Sequence, residues 1–360
     1  MGEVVGFMDY SVFKGRRVLV TGSTGFKGSW LCTWLLHLGA NVSGFALPPT
    51  EDAPLFDQLN LRDRIDQHDG DIRDLETVHA MMAVTKPEIV FHLAAQPLVR
   101  YSYDEPKETF DTNVAGAVNL MEAIREGDTV KALVFVTSDK AYRNKEWIWG
   151  YRENDELGGH DPYSASKAAA ELVFASYQGS FFKNRPNFAA ASVRAGNVIG
   201  GGDMSLDRIV PDCIRAVRND DEIVLRNPQS TRPWQHVLEP LSGYMAVAAG
   251  LLSDPENTIG AWNFGPDVEN VRTVEELTQT AIEVWGAGSL RVERDANQPH
   301  EANLLMLNSD KAKSELGWRV HWDFEAAVIN TVSWYKRVHD GEDPIAVTDE
   351  QLDAFVGGAT

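Results

Sequence analysis

The residue types and spacing of Tyr163 and Lys167 suggest that this pair takes part in acid–base chemistry. They stand four positions apart in the segment YSASK, so on a helix they would share one face. A tyrosine hydroxyl titrates near pH ~10 in water, and a neighbouring ammonium together with a bound cationic cofactor would lower its pKa toward neutrality. Tyr163 could then remove a hydroxyl proton during hydride transfer. The same spacing is also common by chance in surface pairs, so the position of this pair in the fold has to support the assignment.

A second group of polar side chains, Ser138, Asp139 and Lys140, directly follows a predicted strand over 131–137. In open α/β sheets, ligands bind beyond the carboxyl ends of the strands, so these side chains are expected to face a bound cofactor. A simple alcohol dehydrogenase needs only the hydroxyl. The additional carboxyl and amine indicate a second acid–base pair, and hence a reaction that does more than transfer hydride. The alternative is that Asp139 and Lys140 cap a turn or face water.

A glycine-rich turn, TGSTGFKG over 21–28, separates the first predicted strand from the first predicted helix. Small residues let the backbone turn sharply and approach a pyrophosphate, which the amides of a helix N-terminus bind. Glycines alone are weak evidence, since tight turns need them anyway. Between a clear strand and a clear helix, they predict a dinucleotide site.

The second predicted strand ends in GFAL over 44–47 and lacks the carboxylate that usually binds the adenosine ribose of NAD. It also lacks a partner for a 2′-phosphate, because no lysine or arginine stands between Lys27 and Arg62. The cofactor is therefore predicted to be NAD and not NADP. Asp71 and Ile72, in a turn after the third predicted strand, could reach the adenine, although Asp71 would serve nearly as well as a turn or helix cap. Lys27 could reach the cofactor phosphates, but an outward lysine is the favoured interpretation.

These residues need a sheet and helices that hold them together. Short β-rich runs alternate with helical patterns through the first half of the chain, which is typical of a Rossmann-type, doubly wound parallel sheet in an α/β fold. Runs such as VLV, IVF and LVFV are apolar throughout, as in strands covered by helices on both faces. The predicted strands are 17–21, 41–46, 65–70, 88–93, 131–137 and 188–194, with long helices over 106–125 and 164–182.

The second half has shorter elements and is predicted to form a smaller C-terminal cap that binds substrate. We expect residues 1–194 to form the NAD-binding domain, with the catalytic residues. Residues 195–360 are expected to form mainly the cap, with some segments returning to the first domain.

Composition excludes several classes of protein. The 360 residues carry a formal net charge of −20, so binding to nucleic acid or an anionic membrane, which needs clustered lysine and arginine, is not expected. No apolar run is long enough to span a bilayer and no targeting segment stands out, so we expect a cytoplasmic protein. Cys32 and Cys213 lack metal or redox spacing, and the nine histidines lack ligand spacing, so no metal is predicted.

Four motifs together resemble the extended short-chain dehydrogenase/reductase family: the glycine turn, HLAAQ over 92–96, TNVAG over 112–116 and the YSASK segment. More narrowly, STGFKGSW over 23–30, AAQPLVRYSY over 94–103 and TSDKAYRNKEWIWGYREND over 137–155 are similar to the CDP-glucose 4,6-dehydratases. The resemblance implies NAD as cofactor, CDP-glucose as substrate and a homodimer. It also implies that NAD lies against Gly22, Thr24, Gly25, Phe26, Gly28, Asp71, Ile72, Ala94, Ala95 and Asn113.

The chemistry that the resemblance implies uses both groups of polar residues. Tyr163, assisted by Ser138 and Lys167, would take the proton from the 4-hydroxyl of the sugar as hydride leaves carbon 4. Lys140 would then remove the proton from carbon 5, and Asp139 would protonate the departing 6-hydroxyl. Hydride returning to carbon 6 would give a 4-keto-6-deoxy sugar.

The same resemblance assigns substrate binding to Gln96, Arg194, Asn197, Arg208 and Arg232. Arginine suits a diphosphate because its planar fork can bind two oxygens at once. Among the three arginines, Arg232 is the strongest candidate and Arg194 the weakest. Related enzymes often carry R-P-G-x-D near the nucleotide, whereas this chain has NQPHE over 297–301.

Three further interpretations remain open from the sequence. A 4-epimerase of the same fold would need Tyr163 and Lys167 but not the Asp139–Lys140 pair, and a non-catalytic NAD-binding sensor would need neither pair. Trp147, Trp149 and Tyr151 recur at every second position. They could form a lid over the sugar or a hairpin packed on the domain.

Overall fold

The computed structural model describes residues 10–50, 53–293 and 304–358. The segment 297–301, where the sequence departs from R-P-G-x-D, lies outside these ranges. The strands in them are β1 (Arg17–Thr21), β2 (Asn41–Ala46), β3 (Asp66–Asp69), β4 (Ile89–His92), β5 (Ala132–Val136), β6 (Ala189–Ala195), β7 (Val198–Ile199), β8 (Ile223–Leu225), β9 (Thr231–Pro233), β10 (Gln235–His236), β11 (Gly260–Phe264), β12 (Val271–Thr273) and β13 (Leu290–Val292).

Helices cover both faces of the sheet that these strands build. In chain order they are α1 (Phe26–His37), α2 (Leu55–Gln58), α3 (Leu61–Arg64), α4 (Leu75–Thr85), α5 (Val99–Asp104), α6 (Pro106–Phe110), α7 (Gly116–Glu126), α8 (Pro162–Tyr177), α9 (Ile209–Arg218), α10 (Leu238–Ser253), α11 (Pro255–Thr258), α12 (Val274–Trp285), α13 (Asp310–Glu315), α14 (Phe324–His339) and α15 (Pro344–Gly357).

The main sheet contains seven of the described strands in the order β11-β6-β5-β4-β1-β2-β3, and its neighbouring strands are all parallel. The strand order reverses next to β1, which is where α/β sheets of this kind bind their ligands. Two apolar clusters lie on opposite faces of the sheet. In β5 every residue is buried, because successive side chains point into one cluster and then the other. The predicted Rossmann-type fold is confirmed.

The two long helices predicted near the site are each interrupted or ended by a π-helical turn. Residues 106–125 were predicted as one helix, but Asp111–Ala115 forms a π turn between α6 and α7. The helix predicted over 164–182 is α8, which begins at Pro162 and gives way to a second π turn at Gln178–Phe182. A π turn inserts one extra residue and rotates the side chains that follow, which a periodic apolar pattern does not reveal.

The C-terminal half divides between the main sheet and smaller units. Strand β11 pairs with β6 in the main sheet, and α10 packs on the same sheet. The pairs β7–β10, β8–β13 and β9–β12 form two-stranded sheets. The boundary at residue 194 stays a prediction. Within the described ranges, no helix is both long and apolar enough to cross a membrane.

His236 gives the fold a dependence on pH. It is buried, with its ring centroid 4.7 Å from that of Trp322 and 5.8 Å from that of Trp30. Burial lowers its pKa from 6.5 to about 3. The unfolded chain binds a proton below the ordinary pKa while the folded chain does not, so stability is complete above that pH and falls as the pH decreases toward 3.

We therefore expect the free energy of unfolding to fall less steeply with acid in His236→Phe than in the wild type. The difference should be about 1.4 kcal/mol for each pH unit below 6. Chemical denaturation at a series of pH values measures both slopes, and equal slopes would contradict the assignment.

Candidate active site

The glycine turn between β1 and α1 is closed so tightly that larger residues do not fit. Gly22 has φ +73°, and a Cβ there would lie 2.8 Å from the backbone nitrogen of Ala94. A Cβ on Gly28 would lie 2.1 Å from the backbone oxygen of Gly22. Helix α1 follows Gly25, and no side chain caps its first amides. These amides are available to an anion, as a cofactor pyrophosphate requires.

The ends of β1 and β2 are held together beside this turn. Thr24 donates from Oγ1 to the backbone oxygen of Leu47 at 2.9 Å. Past β3, Asp71 accepts from the guanidinium of Arg73, with Arg73 Nη2 2.6 Å from Asp71 Oδ2. This ion pair lowers the pKa of Asp71 and engages Arg73. Arg62 likewise donates to Asp69, at 3.2 Å.

A 2′-phosphate near β2 could pair with Arg62 or Arg73 only by displacing the carboxylate of Asp69 or Asp71. The arrangement therefore fits NAD better than NADP. Ile72 is buried, and a Cβ on Gly116 would lie 2.7 Å from its Cγ2. Its side chain therefore packs against the start of α7. The contact of Ile72 with the adenine stays a prediction.

Asn113 and Gln96 hold the loop after β4. Asn113 Oδ1 accepts from the backbone nitrogen of Gln96 at 2.8 Å, and its Nδ2 donates to Ser166 Oγ at 2.8 Å. The Gln96 amide donates both to Thr109 Oγ1, at 2.8 Å, and to the backbone oxygen of Leu98, at 3.1 Å. Both N–H bonds of that amide are engaged within the protein. Gln96 therefore shapes the loop that carries Ala94 and Ala95, and its contact with substrate stays a prediction.

Helix α8 brings Tyr163 and Lys167 to the end of β5. Asp161 caps the helix by accepting from the Ser164 amide at 2.9 Å, and Pro162 occupies the first turn. Both candidates are buried, and the Ser138 hydroxyl is close enough to Tyr163 to act on its pKa. The structure therefore joins the two groups of polar residues that the sequence separates.

Burial sets the protonation of this pair in the protein alone. It raises the pKa of Tyr163 to about 12, although the Ser138 hydroxyl acts in the opposite direction. It lowers the pKa of Lys167 to about 8, with further lowering by the charge of Lys27. The expected lowering of the Tyr163 pKa is thus not supplied by the protein alone. A cationic cofactor beside the hydroxyl would have to supply it.

Ser138, Asp139 and Lys140 occupy a tight turn directly after β5. Ser138 donates from Oγ to Asp139 Oδ1 at 2.8 Å and accepts from the Lys140 amide at 3.2 Å. Asp139 is buried, and this burial raises the pKa of its carboxyl despite the opposing charge of Lys140. Lys140 is exposed. A carboxyl with a raised pKa can donate a proton near neutrality, as an acid catalyst must.

Gly196, just after β6, makes room for the Asp139 carboxyl. A Cβ at this position would lie 2.1 Å from Asp139 Oδ2. Gly196→Ala must therefore displace the carboxyl. Because a displacement of about 1 Å in an active site can cost about 10²-fold in rate, we expect kcat to fall by about that factor.

Steady-state kinetics would check this expectation against a matched variant. Gly179→Ala is the control, since a Cβ there has nothing within 4 Å. If the two variants kept equal kcat, Asp139 would not need the space that Gly196 leaves.

Lys27 and Arg208 lie beside the catalytic group. Burial and the charge of Arg208 lower the pKa of Lys27 to about 8, while Asp139 and Asp203 act in the opposite direction. Arg208 donates from Nη1 to Asp203 Oδ2 at 2.7 Å. The outward interpretation of Lys27 is not supported, because its ammonium interacts with three charges of the site, those of Arg208, Asp139 and Asp203.

Three other predicted substrate residues lie at different places. Asn197 has φ +23°, and its backbone oxygen accepts from the Gln235 amide at 3.3 Å. Arg232 lies on β9, opposite Arg272 of β12. Arg194 is buried and forms an ion pair with a carboxylate inside the domain. Its guanidinium is engaged inside the protein, and the binding of the substrate diphosphate by Arg194 stays a prediction.

The aromatic loop divides between the interior and the surface. Tyr151 is buried and stacks on Tyr142 at 5.1 Å and on Trp147 at 5.2 Å between ring centroids. Trp149 and Ile148 are 66% and 74% exposed. The packed alternative is correct for Tyr151 and Trp147, while the tip of the loop faces solvent.

The sequence analysis did not single out Glu171, Asp203 or Gly196. Glu171 stands four residues after Lys167, and this continued helical spacing is a signal that could have identified it. Asp203 and Gly196 act through contacts between segments that are distant in the sequence. Among the described residues, no group of histidine, cysteine and acidic side chains could hold a metal ion.

Comparison with known proteins places the chain among nucleotide-sugar enzymes. Residues 19–331 match the GDP-mannose 4,6 dehydratase family. The chain is 46% identical to the CDP-glucose 4,6-dehydratase of Salmonella typhimurium over 358 residues, which cover 98% of this chain and 99% of that protein.

Solved structures of the same fold include two with NAD bound. The UDP-glucose 4-epimerase of Thermus thermophilus has a TM-score of 0.73 at 25% identity, covering 89% of this chain and 99% of that one. The dTDP-glucose 4,6-dehydratase of Streptomyces venezuelae has a TM-score of 0.76 at 24% identity, covering 91% of this chain and 99% of that one. The likeness to the second structure shows the fold alone.

Proposed function

Because the chain belongs to the GDP-mannose 4,6-dehydratase family, we propose that it is an NAD-dependent dehydratase that converts CDP-glucose to CDP-4-keto-6-deoxyglucose. The observation that carries the proposal is the buried Asp139, which is linked through Ser138 to Tyr163. An enzyme that only oxidises or epimerises a hydroxyl has no use for this second acid. The extent of the similarity to the CDP-glucose enzyme of Salmonella typhimurium supports the choice of substrate.

The residues of the site divide the reaction between them. The glycine turn and the N-terminus of α1 would hold NAD, which when bound would supply the hydride acceptor and donor for the reaction. Tyr163 takes the proton from the 4-hydroxyl, and Ser138 and Lys167 stabilise its phenolate. The ketone at carbon 4 acidifies the proton on carbon 5, which Lys140 removes. Asp139 protonates the 6-hydroxyl, which leaves as water.

Arg208 and Arg232 are proposed to bind the diphosphate, with Asn197 beside them. Arg208 is the better placed, since its charge acts on Tyr163 and on Lys27. The neighbouring Asp203 orients its guanidinium and leaves part of the fork for a phosphate oxygen.

The test of the function is to incubate the purified protein with CDP-glucose and NAD. A product lighter by one water, with alkaline absorbance of a 4-keto-6-deoxy sugar and no net NADH, is the expected result. A product of unchanged mass with inverted carbon 4 would mean an epimerase. Turnover of dTDP-, GDP- or UDP-glucose in place of CDP-glucose would correct the base, and no turnover of any of the four would contradict the proposal.

We also propose that the enzyme is a cytoplasmic homodimer. Its buried cysteines, Cys32 and Cys213, are unpaired, as expected in a reducing compartment. The surface of α8 and the end of the neighbouring α6 leave apolar side chains outward, with Leu172 62% and Phe110 38% exposed. A second copy of the chain packed on this surface would cover them.

Leu172→Glu is expected to shift the protein from dimer to monomer, because the variant would bury a carboxylate in the proposed interface. Light scattering coupled to gel filtration measures the mass. The control is Val84→Glu on α4, where the side chain is 68% exposed. A wild type that is monomeric, or two variants with equal mass, would contradict the interface.

A further inference from the structure

A buried carboxylate on α8 binds three residues, which lie on β6 and directly after β5. Glu171 is 3% exposed and lies one turn after Lys167. It accepts a hydrogen bond from Thr137 Oγ1 and another from Ser192 Oγ, the latter at 2.9 Å. Arg194 donates to it twice, from Nε at 2.9 Å and from Nη2 at 2.8 Å. The carboxylate therefore connects α8, β6 and the residue that follows β5.

The remaining edge of the Arg194 guanidinium contacts Tyr142 and Glu153, which lie after the turn at 138–140. Arg194 is 4% exposed, and its Nη1 donates to the hydroxyl of Tyr142 at 2.6 Å and to the backbone oxygen of Glu153 at 3.1 Å. The Tyr142 hydroxyl in turn donates to Asn263 Oδ1 at 2.9 Å. Both nitrogen edges of the guanidinium are thus satisfied inside the protein.

These contacts bracket the catalytic turn. Thr137 immediately precedes the turn that carries Asp139 and Lys140, and Tyr142 immediately follows it. One end of the turn is bound by the carboxylate and the other by the guanidinium of a single ion pair. The carboxylate lies on the helix that carries Tyr163, so the pair spans both groups of catalytic residues.

We propose that Glu171 and Arg194 are positioning residues that fix the elimination residues Asp139 and Lys140 relative to the hydride-transfer residues Tyr163 and Lys167. We call the hydrogen-bonded pair of Glu171 and Arg194 the clamp. The assignment of the reaction steps rests on the proposed function, whereas the clamp rests on the contacts described above. Both Glu171 and Arg194 must lose their hydration when the protein folds. Apolar side chains of similar size could therefore stabilise the domain equally well. A bidentate ion pair also fixes the relative orientation of its two side chains, because its hydrogen bonds tolerate little change in angle.

The test compares two single hydrogen bonds to the same carboxylate. Thr137→Val removes the bond that leads to the catalytic turn, and Ser192→Ala removes one that does not. We expect kcat to fall by about tenfold or more in Thr137→Val. KM for CDP-glucose and the melting temperature should stay close to those of Ser192→Ala. Tyr142→Phe, which removes the bond at the other end of the turn, should resemble Thr137→Val.

Hydrogen exchange of the full-length protein gives a readout that needs no substrate. The peptide spanning 138–142 should exchange faster in Thr137→Val and Tyr142→Phe than in Ser192→Ala or the wild type. Equal exchange in all four proteins would overturn the clamp. A fall in kcat that is the same in Ser192→Ala and Thr137→Val would also overturn it, because the carboxylate would then matter only for stability.

The clamp and the proposed function fail in different ways. A wild type that does not dehydrate CDP-glucose contradicts the function, while the exchange experiment still decides the clamp. Glu171→Gln and Arg194→Met extend the test, although removing one partner leaves a buried charge that can prevent folding. For this reason Thr137→Val and Tyr142→Phe, which leave the ion pair intact, are the deciding variants.

Discussion

Tyr163→Phe is expected to lower kcat for CDP-glucose by about 10²- to 10⁴-fold, the usual contribution of a positioned general base. The phenyl ring keeps the packing of α8 and removes only the hydroxyl that Ser138 contacts. Without a base, no ketone forms at carbon 4, so every later step is lost. The rate of product formation measured by mass, with NADH absorbance after rapid mixing, checks both consequences.

The control for this variant is Tyr177→Phe on the same helix, near its far end. The Tyr177 hydroxyl donates to Glu122 and lies away from the catalytic group. Its kcat should equal that of the wild type. Activity retained in Tyr163→Phe would mean that another group removes the proton.

Lys140→Ala should abolish the incorporation of solvent deuterium at carbon 5 and lower kcat by about 10²- to 10⁴-fold. The oxidation at carbon 4 does not use Lys140, so NADH should accumulate transiently in this variant. Asp139→Asn should behave differently. It loses the acid that protonates the leaving hydroxyl and keeps the base, so label still enters carbon 5 while loss of water slows.

Mass spectrometry of the sugar recovered from deuterium oxide distinguishes these two variants. Unchanged exchange in Lys140→Ala would exclude Lys140 as the base. Because burial raises the pKa of Asp139, the acid should be protonated at higher pH than an exposed carboxyl. The rate of water loss should therefore decrease as the pH rises through that raised pKa.

Local patterns in the sequence predicted the strands and helices around the site, and most errors concern their ends and interruptions. The strand predicted over 88–93 is Ile89–His92, and that over 188–194 is Ala189–Ala195. The two π turns, at 111–115 and 178–182, were missed because their apolar residues keep a helical spacing. Helix α15 was missed as well, because its apolar residues are buried only by packing against α14.

The motifs identified the family correctly, and the comparisons confirm it. They do not by themselves decide which side chains contact the substrate. Gln96 and Arg194 match family motifs in the sequence, yet both side chains are engaged inside the protein. A motif shows that a residue is near a site and does not show whether its polar atoms face the ligand or the fold.

The sequence by itself determined the parallel sheet, the glycine turn and the two groups of polar residues that we propose to be catalytic. These depend on neighbours within a few positions: apolar runs, a turn that needs glycine, and a four-residue spacing on one helix. The tertiary structure alone decided the partner of Arg194, the inward direction of Lys27 and the burial of Asp139. Each of these depends on which side chains from distant strands meet, because burial sets the cost of a charge and geometry sets which partner offsets it.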